Sequence, residues 1–464
     1  MKIKNFLFTL AAILFIYTVS VTTIGCAQIG APTGGPRDSI APVLLTAAPK
    51  LLATNFNGNK ITLIFDEYIN VLDVQKNVMV SPFPKTFPII DFKLKTVTVK
   101  LKDTLLANTT YAINFGNAIV DNNEGNIFKE FTYVFSTGKT IDSLILTGTV
   151  LMAETGRADS TLQALLYRNA NDSSVEKRKP DYIAKLNSAG KFTFTNLAEG
   201  VYRVYALKDG DGGKTYNAKI ESFAFANKDI IVGAVTDTVM LYAYEEEKEK
   251  KKVATVTVKA ADKKLKYTPS VANNATQDIL SDLKITFNNK LKNFDTTKII
   301  LTDSNYVKIE GSAISIDSTR KIVSIKNKWP EDAAYRLIIS KESVSDSVNS
   351  VLAKSDTIRF KTKKESEYGS LLLRFSKLDL NKHAVIQFFK NGEIVKSVPV
   401  TSPSWSSKLI EPGEYELRVL YDTNNNGVWD PGNFSKKLQP ERARTLDKTL
   451  TIKPNWENER DVEL

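Results

Sequence analysis

Downstream of an apolar first stretch, the chain alternates apolar and polar positions with a period of two. Lys60-Ile61-Thr62-Leu63-Ile64-Phe65 and Thr96-Val97-Thr98-Val99-Lys100-Leu101 each gather apolar residues on one side of an extended backbone, the pattern of a half-buried strand. Tyr111–Phe115 and Phe131–Phe135 continue it, as do Leu144–Val150, Leu162–Tyr167, Lys191–Thr195, Val201–Leu207 and Val239–Tyr244. Short strands at close spacing, separated by Asn, Gly and Asp turns, predict antiparallel β-sandwiches. Almost no segment beyond the first stretch carries a helical period. The chain has 464 residues, and at about 100–150 residues per domain it divides into three or four. A hydrophobic fraction of 42% with 25% charged residues supplies several cores and excludes wholesale disorder.

The second half repeats the first. Ile61–Phe65 followed by Asp73 matches Leu283–Phe287 followed by Asp295. Val97–Val99 then Tyr111 answers Val323–Ile325 then Tyr335, and Phe135-Ser136-Thr137 answers Phe360-Lys361-Thr362. Between these lies another repeated unit. Gly200-Val201-Tyr202 leads to Asp209, and Gly413-Glu414-Tyr415 leads to Asp422, with Asp nine residues after Gly in both. The expected order is A-B-A-B over residues 41–140, 141–244, 271–365 and 366–464. The run Glu245-Glu246-Glu247-Lys248-Glu249-Lys250-Lys251-Lys252 reads as a solvated spacer, giving a charged linker over 245–270.

The first 25 residues read as an export signal. Lys2 and Lys4 precede an apolar run from Phe6 to Tyr17, broken only by Thr9. That run is short for about 30 Å of hydrocarbon and suits the apolar core of a signal peptide. Thr23-Ile24-Gly25-Cys26 resembles a lipobox, in which diacylglycerol is attached to Cys and the signal is cut before it. Gly25 fits that motif, while Thr23 stands where Leu is usual. Cys26 is the sole cysteine, so no disulfide can form within one chain. Residues 26–40, rich in Gly and Pro, then form a tether. Ala27 replaces the Asp that disfavours outer-membrane sorting, and no acidic run follows. The expectation is lipid anchoring at the outer membrane, facing the periplasm.

Two family resemblances accompany these patterns. Asp38-Ser39-Ile40-Ala41-Pro42, Ile64-Phe65-Asp66-Glu67, Leu106-Ala107-Asn108-Thr109-Thr110-Tyr111 and Phe135-Ser136-Thr137-Gly138 resemble S-layer-type bacterial Ig-like domains. The later A copy departs from the pattern, with Asn288-Asn289 in place of Asp66-Glu67. Asn187-Ser188-Ala189-Gly190-Lys191-Phe192-Thr193-Phe194 with Leu197-Ala198-Glu199-Gly200-Val201-Tyr202 resembles a transthyretin-like, carboxypeptidase-regulatory-type sandwich. The resemblances imply an all-β chain of tandem Ig-like and transthyretin-like sandwiches behind a signal helix. They also imply spacers, stalks and binding platforms rather than enzymes.

Candidate chemistry is sparse. Asp422-Thr423-Asn424-Asn425-Asn426-Gly427-Val428-Trp429-Asp430 places oxygen-bearing side chains at positions 1, 3, 5 and 9 and Gly at 6, as in a calcium loop. Asp422, Asn424, Asn426 and Asp430 are the candidate ligands. Position 12 is Asn433 rather than Glu, and a plain Asn/Gly turn is the competing reading. Asp209-Gly210-Asp211-Gly212-Gly213 and Asp121-Asn122-Asn123-Glu124-Gly125-Asn126 are weaker loops of this kind. The one histidine, His383, reads as a surface residue, so a Ser–His triad or zinc site has little to draw on. Asp66 and Glu67, if adjacent on a strand, point to opposite faces. Trp405, Trp429, Tyr242 and Tyr244 suit core packing, or a carbohydrate platform, with Trp429 the residue least expected to be buried.

Net charge is +11, and loss of Lys2 and Lys4 with the signal lowers it by two to +9. The lysines are scattered along strands, which reads as solvated faces and edge protection and not as a nucleic-acid surface. The leading expectation is a noncatalytic, membrane-anchored envelope lipoprotein acting as a spacer or as a platform for a protein or glycan partner. A calcium- or carbohydrate-binding module and an unrecognised hydrolase are the alternatives.

Overall fold

The computed structural model describes residues 2–22, 37–248 and 264–464. Cys26, most of the tether, the second half of the charged run and the linker residues up to 263 lie outside them. Lys2–Thr22 is an α-helix, as a Leu/Ile/Phe/Ala stretch free of Gly and Pro favours. Among the described residues no helix is long and apolar enough to cross a membrane. The other described residues are mainly β-structure with a few single helical turns, arranged as sandwiches in two compact units, Met1–Ile141 and Asp142–Leu464.

The first unit holds one sandwich. Its larger sheet runs in the order Leu44–Ala48, Lys60–Phe65, Thr96–Lys100, Ile89–Lys93, and its smaller one Met79–Ser81, Thr110–Gly116, Phe131–Ser136. Ile69–Val71 pairs with Ile119–Asp121 at the side. Alternation does the work expected of it. Ile61, Leu63, Phe65, Val97 and Val99 from one sheet meet Ile113, Phe115, Tyr133 and Phe135 from the other, all fully buried. Tyr111 stacks on Phe135 at 5.3 Å, and its hydroxyl accepts from Leu106 N at 2.8 Å.

The second unit contains three sandwiches, and their strand orders display the repeat. In the segment 144–243, one sheet is Lys191–Leu197, Leu144–Met152, Val239–Ala243. The other is Tyr182–Lys185, Gln163–Arg168, Gly200–Leu207, Phe223–Phe225, with Ile230–Val232 also on Gly200–Leu207. In the segment 369–463 the same order recurs as Ser404–Ile410, Gly369–Ser376, Glu457–Glu463 and as Glu393–Pro399, Ala384–Lys390, Gly413–Tyr421, Arg442–Thr445, with Leu450–Ile452 on Gly413–Tyr421. The sandwich between them repeats the first unit, down to a side pair, Leu291–Phe294 with Val344–Asp346. We number the four sandwiches one to four in chain order.

Pairing is mostly antiparallel. Parallel pairs form where the last strand of a sandwich returns beside an early one: Leu144–Met152 with Val239–Ala243, Ala275–Gln277 with Asp356–Thr362, and Gly369–Ser376 with Glu457–Glu463. At Gly148, on the first of these, a Cβ would stand 2.2 Å from the Phe192 ring and 2.6 Å from Val239 O, so the close approach of the strands admits only glycine.

At its described ends the 245–270 segment differs from the solvated spacer expected there, and residues 249–263 lie outside the described residues. Glu245 accepts from Ser222 Oγ at 3.0 Å, Glu246 accepts from Phe434 N at 2.8 Å, and Lys248 pairs with Glu154 at 2.9 Å. At the far end Leu265 is buried and Tyr267–Pro269 pairs with Leu283–Phe287, so the third sandwich starts several residues before 271. Charge density alone concealed the apolar alternation of Leu265 and Tyr267 and the partners waiting for the acids.

Those contacts belong to a direct interface between sandwiches two and four. Phe434, 4% exposed, inserts among Phe223, Phe225 and Tyr205, with ring centroids at 5.0, 5.3 and 6.0 Å. Ala443 N donates to Ala153 O at 2.7 Å and Thr445 N to Thr155 O at 2.8 Å, so residues 153–155 extend the sheet edge at Arg442–Thr445. Arg418 is buried over the Phe389 ring, 3.6 Å from Glu154. Burial pushes its guanidinium pKa down, and the Glu154 charge opposes that shift.

Gly148→Ala should cost about 1–3 kcal/mol through overpacking. Urea unfolding of the full chain, followed by tyrosine and tryptophan fluorescence, would measure it, and an unchanged midpoint would contradict the close packing.

Candidate cation loop

Strand Gly413–Tyr421 leads into an excursion, residues 422–441, that returns as Arg442–Thr445 beside it. Asp422 is 1% exposed. Its backbone N donates to His383 O at 3.1 Å, and its carboxylate accepts from Asn426 N at 3.2 Å and Gly427 N at 2.6 Å. Asn424 Oδ1 accepts from Asn426 N at 3.1 Å, and Asn426 Oδ1 accepts from Val428 N at 2.7 Å. Both amides donate Nδ2 to Asp430 Oδ2, at 2.6 and 2.7 Å. The fold therefore brings all four sequence-predicted residues, Asp422, Asn424, Asn426 and Asp430, to one place.

Asn433, the twelfth position, is not among them. It lies at the interface, where its Nδ2 reaches Glu246 at 3.3 Å. The acid that joins the loop is Glu441, 5% exposed, which the sequence spacing did not single out. Its Oε1 accepts from Thr423 N and Thr423 Oγ1, both at 2.7 Å, and its Oε2 from Asp430 N at 3.1 Å. Its only sequence signal is its place beside the strand that pairs with Gly413–Tyr421. Beneath the loop, fully buried Gln387 donates Nε2 to Gly427 O at 3.4 Å, and its Oε1 has no partner.

The corresponding loop of sandwich two, unlike that after Asp422, brings three carboxylates together. Carboxylate oxygens of Asp209, Asp211 and Glu221 lie within 4.8 Å of one another. Leu207 pairs with Phe223 and Leu420 with Ala443, which puts Glu221 and Glu441 at equivalent positions. Here a lysine supplies the positive charge. Lys214 Nζ donates to Asp209 Oδ2 at 2.5 Å and to Gln163 Oε1 at 3.1 Å. Asn217, followed by Gly213 N, holds the Asp211 carboxyl below its usual value through hydrogen bonds.

Other acidic turns are braces. Burial works against ionisation of Asp121, yet hydrogen bonds from the backbone of Glu124, Asn126, Gly125 and Asn123 outweigh it and hold its carboxyl low. At Asp317 the Thr319 hydroxyl, with Ile322 N and its neighbours, lowers the pKa to about 2. Asp66 and Glu67 are not strand neighbours as expected, because the strand ends at Phe65. Asp66 Oδ1 accepts from Val43 N at 2.8 Å, and Glu67 is raised by burial and then by the charges of Asp121 and Asp66.

The aromatic candidates pack. Trp429, expected to have little reason for burial, is half-buried on Val385, Leu420 and Ala443 and donates Nε1 to Glu441 O at 2.7 Å. It covers the outer face of a sheet that the strand pattern alone left bare. Trp405 lies 5.6 Å from Phe388, and Tyr244 is buried. His383 is exposed, in a left-handed conformation with φ 48°. A cleft of about 600 Å³ opens at the junction of sandwiches two and four, lined by Asp172, Arg203, Asp229, Phe225, Phe434 and Lys437. Its carboxylates are paired: Arg203 contacts both Asp172 and Asp229, and Lys437 lies 3.4 Å from Asp172.

Residues 38–137 match the bacterial Ig-like domain family. The first sandwich is of that type. A search of curated proteins finds no match. Among solved structures, native alpha-2-macroglobulin from Escherichia coli is similar at 16% identity over 40% of this chain and 72% of that one, with a TM-score of 0.20. The major pilin subunit of Bacillus cereus gives 10% identity over 69% and 99%, with a TM-score of 0.17. The S-layer protein rSbsC gives 14% over 91% and 54%, with a TM-score of 0.17. Scores this low carry no argument about function.

The Asp317 carboxyl should titrate with a midpoint near pH 2 by carbon-detected NMR. Its folded value lies below the unfolded value of about 3.9. The stability it contributes is therefore complete above about pH 4 and is lost as pH falls through about 2.

Proposed function

We propose that the protein is a noncatalytic lipoprotein of the cell envelope, fastened to the outer membrane through acylated Cys26 and facing the periplasm. It acts as a spacer that presents a rigid platform to a protein or glycan partner. The observation that supports a platform is the junction of sandwiches two and four, where Phe434 and two backbone hydrogen bonds between the sandwiches fix a cleft of charged and aromatic side chains. Rigid scaffolds with such clefts lower the ordering cost of binding. Anchoring is supported by the apolar leader ending at Cys26, twelve residues before the Ig-like match begins at Asp38. Acyl chains contribute about 0.8 kcal/mol per buried CH₂, enough for several chains on one thiol to hold a folded ectodomain at a bilayer.

The carbohydrate alternative would use Trp405, Trp429, Tyr242 and Tyr244 as a stacking surface; the packing of Trp405, Trp429 and Tyr244, and the Arg442 guanidinium 5.3 Å over the Tyr242 ring, argue against it. The hydrolase alternative would need a free carboxylate pair, whereas Asp172 and Asp229 in the cleft are salt-bridged to Arg203.

Growth with an alkyne-labelled palmitate, followed by fractionation, tests the anchor. The parent protein should carry label and sediment with outer membranes, and Cys26→Ser should be unlabelled and leave that fraction. An unlabelled parent in the soluble cell interior would sink the proposal. Affinity capture from the envelope should recover a partner with the parent and lose it with Arg203→Ala and Lys437→Ala together, both of which line the cleft.

A further inference from the structure

The chain enters sandwich one at Arg37 and leaves it after Gly138, at opposite ends of the sandwich. At the entry end Arg37 Nη2 donates to Glu124 O at 2.8 Å, and Asn126 Nδ2 donates to Asp38 O at 3.1 Å. Val43 N donates to Asp66 Oδ1 at 2.8 Å, and Val43 O accepts from Asp66 N at 3.1 Å. Asn122 N donates to Tyr68 O at 2.9 Å, and Ile69 N to Leu94 O at 3.0 Å. The segments 37–43, 66–69, 93–95 and 121–126 are thereby tied into one surface. At the exit end Asn55 N donates to Gly138 O at 2.8 Å, and Thr137 Oγ1 to Leu106 O at 2.7 Å. Strands Leu44–Ala48 and Thr96–Lys100 both run from the entry end to the exit end.

The entry end shows apolar side chains to solvent. Ile40, Val43, Tyr68 and Leu94 are each half or more exposed. Apolar residues scattered singly on a surface need no explanation, but four from three segments on one tip make a patch. Leu94 also sits in a hairpin turn at φ 55°, a place where Asn or Gly is the ordinary choice. Lys95 Nζ lies 5.8 Å over the Tyr68 ring and donates to Asp66 O at 2.5 Å. A half-exposed tyrosine beside a lysine suits a membrane–water boundary, where the ring is apolar at one end and wet at the other. The exposed charges here have both signs, Arg37, Lys93 and Lys95 against Asp38 and Asp66. Asp121 is buried and turned onto backbone N–H groups. A surface so nearly balanced is not built to collect an anionic polymer. What it offers is apolar contact framed by polar groups.

The length of chain before Arg37 says what lies opposite this tip. Arg37 is the eleventh residue after Cys26, and eleven residues reach about 40 Å at most. An acyl group on Cys26 therefore keeps the entry end within that distance of a bilayer. Any contact between them is then in effect intramolecular, with the local concentration raised to about the millimolar range. A patch too small to recruit a free domain is sufficient under that condition. Leu52 and Leu106 are exposed at the exit end, but the segment from Cys26 does not arrive there.

Resting on the proposed acylation of Cys26, we infer that the entry end of sandwich one docks on the lipid bilayer that holds the anchor. Tyr68 and Leu94, flanked by Ile40 and Val43, seat at the boundary of headgroups and acyl chains. The contact is apolar, and zwitterionic lipid suffices for it. It stands sandwich one with its strands rising from the membrane and Gly138 at the far end.

The acylated chain, purified from membranes, would be reconstituted in phosphatidylcholine vesicles whose acyl chains carry bromine either near the ester or at the far end. Tyr68→Trp and Leu94→Trp each place a reporter at the entry end and Leu106→Trp places one at the exit end, all read against the parent and its four tryptophans. Mass spectrometry of the N-terminal peptide would read acylation, and flotation would read vesicle binding. Emission from both entry-end reporters should fall by about half or more with bromine near the ester, the depth of about 5–10 Å typical of interfacial side chains, and by less with bromine at the far end. Leu106→Trp should keep its emission, and adding phosphatidylglycerol should change none of these results. An acylated, vesicle-bound chain whose entry-end reporters both stay bright would overturn the docking. Equal quenching at Leu106→Trp, or quenching that appears only with phosphatidylglycerol, would overturn it as well. A chain without acyl groups would instead overturn the anchor, which the mass measurement reads separately.

Discussion

Burial of one face of every strand between two sheets is the constraint on which this molecule depends. Sheets of three to five short strands are marginal by themselves and become stable only when their apolar faces are pressed together. Phe65, Val97 and Val99 against Ile113, Phe115 and Phe135 show this in the first sandwich. Leu371 and Leu373 against Phe388, Leu417 and Val419 show it in the fourth. Because side chains alternate strictly, slipping a strand by one residue would turn its whole apolar set to water. Register is thereby specified strongly, and a repeated pattern of positions yields a repeated order of strands.

Short strands require many turns, and the turns are held by side-chain oxygens. Asp121, Asp317 and Asp346 each collect backbone N–H groups that would otherwise go unpaired. Such a carboxylate is structural, although in sequence it resembles a ligand. The loops after Asp209 and Asp422 share this bracing and then diverge at one residue, Lys214 in one and Gly427 in the other. Lys214 sets its ammonium on Asp209, whereas Gly427 gives Asp422 a backbone N–H alone.

Sandwiches two and four are joined although a complete sandwich separates them in sequence. The contact uses an aromatic plug, Phe434, a sheet edge lengthened by residues 153–155, and acids from a charged run that composition assigned to solvent. Docking of this sort limits relative motion of the two sandwiches, so the second unit is a bonded assembly and not a string of free beads. A platform gains from this, because groups contributed by different sandwiches keep a constant spacing.

Much of this was present in the order of residues. The alternation at 60–65 and 96–101, the paired Gly-Tyr-Asp spacings and the Asp/Asn loop at 422–430 are local patterns, and local patterns determine strand, turn and repeat through backbone geometry alone. Other features depend on which distant surfaces meet. Glu441 joins the loop because strand pairing carries it there, Gln387 lies beneath it on a neighbouring strand, and Trp429 finds a sheet face to cover. Glu246 reaches Phe434 across 188 residues. No spacing in a sequence encodes such neighbours directly, since they arise from packing free energy summed over the whole unit. The sequence alone determined the kind of sandwiches and their order, while the tertiary structure decided which of them touch and which oxygens converge.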